Sequence, residues 1–162
     1  MQRVLISAVA LTALLAAPAI AEVTSAPVPV PVEGITPAEM VQLLSQHQMA
    51  PKLTQGSDGQ PIVNGRTAGV GFNVSFGACH GERCRDVVFQ AGWGNAKGDA
   101  KLTPERINQW NTENKFLRAY VSSNTLWAEM DARIARGTTA NVEEYIVLWA
   151  ERLHEFKPFM GL

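Results

Sequence analysis

Val70–Trp93 reads VGFNVSFGACHGERCRDVVFQAGW, and its two cysteines set a register for the whole stretch. Placing Cys79 opposite Cys84 across the loop His80-Gly81-Glu82-Arg83 pairs Phe76 with Val87 and Val74 with Phe89. The same register pairs Phe72 with Ala91 and Val70 with Trp93. Every one of those pairs is apolar, whereas the alternate pairs are Ser75 with Val88, Asn73 with Gln90 and Gly71 with Gly92. Side chains alternate strictly across a sheet, so a slip of one residue would scramble this division. The stretch is therefore a β-hairpin with one core face and one mostly polar face.

Downstream, a tight turn at Ser123-Asn124 pairs Val121 with Leu126, Ala119 with Ala128 and Leu117 with Met130. On the opposite face it sets Tyr120 against Trp127 and Arg118 against Glu129. Aromatic and opposite-charge pairs across strands each contribute about 0.2–1 kcal/mol. Upstream, Lys52–Gln55 and Gln60–Thr67 flank the turn Gly56-Ser57-Asp58-Gly59, a further hairpin signal. Hairpins that share one apolar face predict an α+β fold, an antiparallel sheet with helices packed on one face.

Three segments supply those helices. Thr36-Pro37-Ala38-Glu39 is a capping box with proline at the first helical position, and Met40, Leu43, Leu44 and His47 follow at helical spacing. Pro51 bars its continuation. Thr103-Pro104-Glu105 opens a second helix that carries Ile107, Trp110 and Asn111. The third starts at Thr138 or Thr139. It bears Val142, Tyr145, Ile146, Trp149, Leu153 and Phe156 on one stripe, and Lys157-Pro158 is expected to end it.

Residues 1–21 belong to no such element. Arg3 precedes an apolar run from Val4 to Ala17, and Ala19-Ile20-Ala21 has the small-x-small form that signal peptidase accepts. The run is shorter than the roughly 20 residues that span a bilayer. Export to the periplasm or the medium is therefore expected, with cleavage after Ala21 and no membrane span afterwards. Residues 22–34 include APVPVPVEG, an extended proline-rich spacer, and residues 35–160 form the domain. Removing Arg3 from 14 basic residues leaves 13 against 15 acidic ones, a near-neutral balance without the basic stripe of a nucleic-acid binder.

The exported compartment and the opposed positions of Cys79 and Cys84 favour a structural disulfide. Closing so small a loop contributes about 2 kcal/mol on the chain-entropy estimate. The cluster C-H-G-E-R-C has too few spaced ligands for structural zinc, and it is not the C-x-x-C of thiol oxidoreductases. His47, His80 and His154 are scattered, with no nucleophile or carboxylate at motif spacing. No catalytic residue, metal or cofactor is expected. Trp93, Trp110 and Trp149 fall on core stripes. Trp127 does not, and with Arg118, Tyr120 and Glu129 it forms the candidate contact patch on the uncovered sheet face.

Several blocks resemble the YbjN domain family. They are GITPAE at 34–39, GVGFNVSFGAC at 69–79, INQWN at 107–111, KFLRAY at 115–120, GTTANV at 137–142 and the spacing of Trp149, Leu153 and Phe156. The resemblance implies a fold similar to type III secretion chaperones, a role in bacterial sensory transduction and no established enzymatic activity. It supplies no catalytic residues. The expectation is a non-enzymatic exported binding or regulatory module that contacts a protein partner or itself. The runner-up is a small-ligand carrier or enzyme that uses a cleft between sheet and helices.

Overall fold

The computed structural model describes residues 26–96 and 99–162; the expected signal segment, residues 1–21, lies outside them. Six strands form one antiparallel sheet: β2 (Lys52–Gln55), β3 (Pro61–Thr67), β4 (Val70–His80), β5 (Arg83–Gly94), β6 (Arg118–Ser122) and β7 (Thr125–Arg133). Their order across the sheet is β2-β3-β4-β5-β7-β6. Three helices accompany it: α1 (Pro37–Gln46), α2 (Pro104–Glu113) and α3 (Thr139–Met160). The α+β fold expected from the hairpins is the one observed.

The cysteine register holds. The ladder between β4 and β5 runs from Asn73–Gln90 through Val74–Phe89 and Phe76–Val87 to Cys79–Cys84 and His80–Arg83. The cysteines are bonded, with an S–S distance of 2.11 Å. The outer expected pairs, Phe72–Ala91 and Val70–Trp93, lie beyond the end of that ladder, although Val70, Phe72 and Ala91 are all buried. The second hairpin also forms as expected, with Val121–Leu126, Ala119–Ala128, Tyr120–Trp127 and Arg118–Glu129 in register. Ser123 and Asn124 have φ of 49° and 66°. Two positive values describe the type I′ turn whose twist suits a two-residue hairpin.

Capping chemistry starts two helices where the sequence places it. The Thr36 side chain accepts from the Glu39 N–H, and the Glu39 carboxylate accepts from the Thr36 N–H. Thr103 caps α2 by accepting from the Arg106 N–H. Just upstream, Ile35 and Cys84 exchange two backbone hydrogen bonds of 3.0 and 2.9 Å. Gly34 makes that approach possible, since a Cβ there would lie 1.9 Å from the Cys84 carbonyl oxygen. Arg83 then clamps the disulfide turn to α1 through Glu39 at 2.7 Å and the Gly34 carbonyl at 2.8 Å.

The core lies between the sheet and α3. Trp149 is fully buried, with its ring 5.8 Å from Phe72 on β4 and 5.7 Å from Phe89 on β5. One turn pair further on, Phe156 meets Trp93 at 5.5 Å and Trp110 of α2 at 5.0 Å. The expectation that Lys157-Pro158 ends this helix is not met: α3 continues through Pro158 to Met160 and caps at Gly161, whose φ is 75°. Proline costs a helix one N–H bond and a clash in the preceding turn. Burial offsets that cost here, because Met160 is fully buried and Phe159 packs 5.3 Å from Trp110.

The proline-rich stretch also does more than separate. Pro29–Val30 forms a two-residue strand, β1, paired with Gly137–Thr138, β8. Val30 is buried, and Val28 exchanges hydrogen bonds with Thr139 at the start of α3. Two residues are all that alternating prolines, which lack N–H donors, let into a ladder.

Candidate functional site

The candidate patch is built by three adjacent strands on the sheet face opposite α3. Along β7, Leu126, Ala128, Met130 and Ala132 are buried toward the helices, so Trp127, Glu129 and Asp131 point the other way. Register then lines up one polar row across all six strands: Lys52, Asn64, Asn73, Gln90, Glu129 and Arg118. The neighbouring row holds Trp127 and Tyr120 side by side.

Glu129 is the centre of this face. It is the one buried polar or charged residue among the described residues, at 5 % exposure. Its carboxylate accepts hydrogen bonds from the Tyr120 hydroxyl at 2.6 Å and from Gln90 Nε2 at 2.6 Å, and it pairs closely with Arg118. Arg118 reaches Asp131 as well, at 3.3 Å, while its own side chain stays 60 % exposed. All four expected patch residues are thus brought to one face, and three of them form one hydrogen-bonded cluster. Trp127 stands beside the cluster, half-buried, with its ring laid across Gly92: a Cβ there would lie 2.9 Å from Trp127 Cζ3. The ring therefore covers bare backbone on one side.

The electrostatics follow from this packing. Burial by itself pushes the Glu129 carboxyl up, but the hydrogen bonds from Tyr120, Gln90 and Arg118 and the Arg118 charge outweigh it and hold the group below its ordinary 4.5. Burial, followed by the bond to Glu129, raises the Tyr120 hydroxyl. Arg118 is raised chiefly by its bond to Glu129. A carboxyl depressed in the folded state adds stability above its unfolded pKa, and that stability is lost as pH falls through the folded value. Thermal melts between pH 6 and about pH 3 should therefore show the wild type losing more than Glu129→Gln. Parallel losses would mean that the network contributes nothing to folding.

Three residues outside the expected patch shape it. Gln90 reaches Glu129 only because β7, not β6, lies next to β5. Asn111 on α2 gives its side-chain amide to edge strand β6, donating to the Ala119 carbonyl at 2.9 Å and accepting from the Ala119 N–H at 2.8 Å. A carboxamide bound this way closes the edge as a neighbouring strand would. Phe116, with φ of 73° and 68 % exposure, stands where β6 begins, beside a hollow of about 420 Å³ that Arg118, Glu129 and Asp131 also line. An aromatic side chain in that backbone region is uncommon. Its only signal in the sequence is an apolar residue just outside a strand.

A second concavity lies on the helix side. It is a cleft of about 430 Å³ between the start of α1 and the hairpin of β2 and β3, with Leu53 and Pro61 in its wall and the Cys79–Cys84 bridge alongside. Elsewhere His80 and His154 are exposed and His47 is half-buried at the end of α1, so the three histidines do not converge.

No curated protein matches the chain. The sequence profile of the YbjN family, described as "putative bacterial sensory transduction regulator", matches residues 36–162, from the cap of α1 to the last residue. The chain belongs to the YbjN family.

Proposed function

We propose that this protein is a non-enzymatic, exported regulatory module that acts by contacting a protein partner through the open face of its sheet. The observation that carries this reading is the Glu129 cluster. A carboxylate buried on a helix-free face, satisfied by three side chains from two neighbouring strands, holds Arg118 and Tyr120 in one geometry with Trp127 beside them. Interfaces concentrate their energy in Trp, Tyr and Arg, and anchors held rigid before binding lose less entropy on association. A family of sensory transduction regulators is consistent with a protein that works by contact. Export rests on Arg3, the apolar run after it and Ala19-Ile20-Ala21.

The cleft beside the Cys79–Cys84 bridge supports a second reading, a carrier of a small apolar ligand, since its lining is mostly apolar. One experiment separates the two. The protein recovered from the envelope fraction should begin at Glu22, and a partner captured on it should be lost with Arg118→Ala but kept with Leu53→Ser. Partner capture that survives Arg118→Ala, together with binding of a small apolar dye that Leu53→Ser abolishes, would favour the cleft, and intact Met1 in the cytosol would overturn export.

A further inference from the structure

Phe116 stands in a backbone conformation that glycine adopts freely and aromatic residues rarely do, with φ of 73°. The chain is pinned on both sides of it. The Asn114 N–H donates to the Trp110 carbonyl at 2.8 Å, and the Trp110 indole N–H donates to the Leu117 carbonyl at 3.0 Å. Trp110 and Leu117 are themselves buried, so the turn from α2 into β6 imposes its shape on Phe116 whatever the side chain there. That residue is then 68 % exposed, among the few large apolar groups on the surface. Strained backbone and exposed apolar surface both count against folding, and with most of the residue open to solvent, packing offsets little of either. A contact made outside the chain would account for both.

The charges around Phe116 leave positive charge over. Glu129 and Asp131, the two carboxylates of the hollow beside it, are both paired with Arg118, and both meet the same terminal nitrogen, Nη2. A guanidinium has five N–H donors, so Nη1 and Nε keep three that have no partner among the described residues. The Lys115 ammonium, exposed and lining the same hollow, has no partner there either. Resting on the reading of the open face as a contact surface, we propose that the partner segment seated here is an acidic peptide. A large apolar residue packs on the Phe116 ring, and a neighbouring carboxylate accepts from Lys115 and from the free edge of Arg118. Burial of the apolar residue in a hollow of about 420 Å³ supplies affinity, and the charge-assisted bonds fix its direction. An acid is favoured over a base because the hollow's own carboxylates are already held, so an incoming cation would meet Lys115 and Arg118. The pairing with Glu129 keeps the guanidinium in position before the segment arrives.

The probe is a capped pentapeptide with one leucine between two aspartates and a glycine at each end. Titrated into the purified chain, it should move the amide NMR signals of residues 115–118 and 131, with a dissociation constant of ~0.1–1 mM. Exchanging both aspartates for asparagine should weaken binding about fivefold or more, and exchanging them for lysine should abolish it. Phe116→Gly should weaken the acidic peptide about tenfold or more while the melting temperature holds or rises, since glycine relieves the strained backbone. A residue kept for packing would do the opposite, melting lower with binding unchanged. Lys115→Glu should weaken the acidic peptide about fivefold and leave the affinity of the asparagine peptide as it was. If Phe116→Gly fails to fold, the two titrations of Lys115→Glu decide. Peptides that bind equally whatever their charge overturn the proposal. So does binding that needs a free C-terminal carboxylate, or a loss of sedimenting mass with Phe116→Gly that shows a second copy on the ring. Partner capture that needs Arg118 but not Phe116 also overturns it and leaves the open-face reading standing. Peptide binding at Phe116 with no partner captured by the Arg118 cluster upholds the acidic-peptide site and ends that reading instead.

Discussion

Replacing Trp149 with alanine should lower the free energy of unfolding by about 3–5 kcal/mol. The side chain is fully buried, and its ring packs against Phe72 of β4 and Phe89 of β5. Removing it leaves a cavity at the middle of the helix-to-sheet contact, where packed rings from β4 and β5 can close in only partly. Trp149→Phe should cost much less. It keeps an aromatic ring in place and also removes the indole Nε1, a buried donor with no hydrogen-bond partner. An orphaned donor of that kind is a cost the folded state already bears. Urea denaturation of the three forms measures this. An alanine variant within 1 kcal/mol of wild type would mean that α3 is not what holds the sheet.

The second large effect falls on binding. Trp127→Ala should weaken capture of the partner at least tenfold, about 1.4 kcal/mol or more, while stability falls by about 1 kcal/mol. The split follows from where the ring sits. One face lies across Gly92 and the other is turned to the open side of the sheet, so truncation loses part of a burial term and all of the outward surface. Cross-strand pairing with Tyr120 is lost too, and Tyr120 keeps its bond to Glu129. Melting curves beside a binding titration separate the contributions. A stability loss of 3–5 kcal/mol with unchanged binding would make Trp127 an ordinary packing residue.

How much of this was legible in the chain can be traced residue by residue. The hairpin register came from two cysteines and an alternating pattern, both local, and the ladder from Asn73–Gln90 to His80–Arg83 follows it. The capping box at Thr36 and the Ser123-Asn124 turn were equally local, since each needs only a few adjacent side chains and a fixed backbone geometry. Pairing of Tyr120 with Trp127 and of Arg118 with Glu129 came from that same turn. The end of α3 shows the limit of local reasoning. Pro158 is a helix breaker by its own chemistry, and only the burial of Met160 against the rest of the molecule overrides it.

The sequence by itself determined which residues share a strand, which face each turns and where α1 and α2 begin, because periodicity, caps and turns act over a few residues. Only the tertiary structure decided the order of the strands. Backbone hydrogen bonds carry no information about which strand pairs with which, so order is settled by burial. Strand β7, with Leu126, Ala128, Met130 and Ala132 all buried along nine residues, goes inside. The shorter β6 takes the edge, where Asn111 can close it. That placement brought Gln90 to Glu129 and made a buried carboxylate tenable on an open face. Each of these depends on contacts between segments far apart in the chain, which no local pattern encodes.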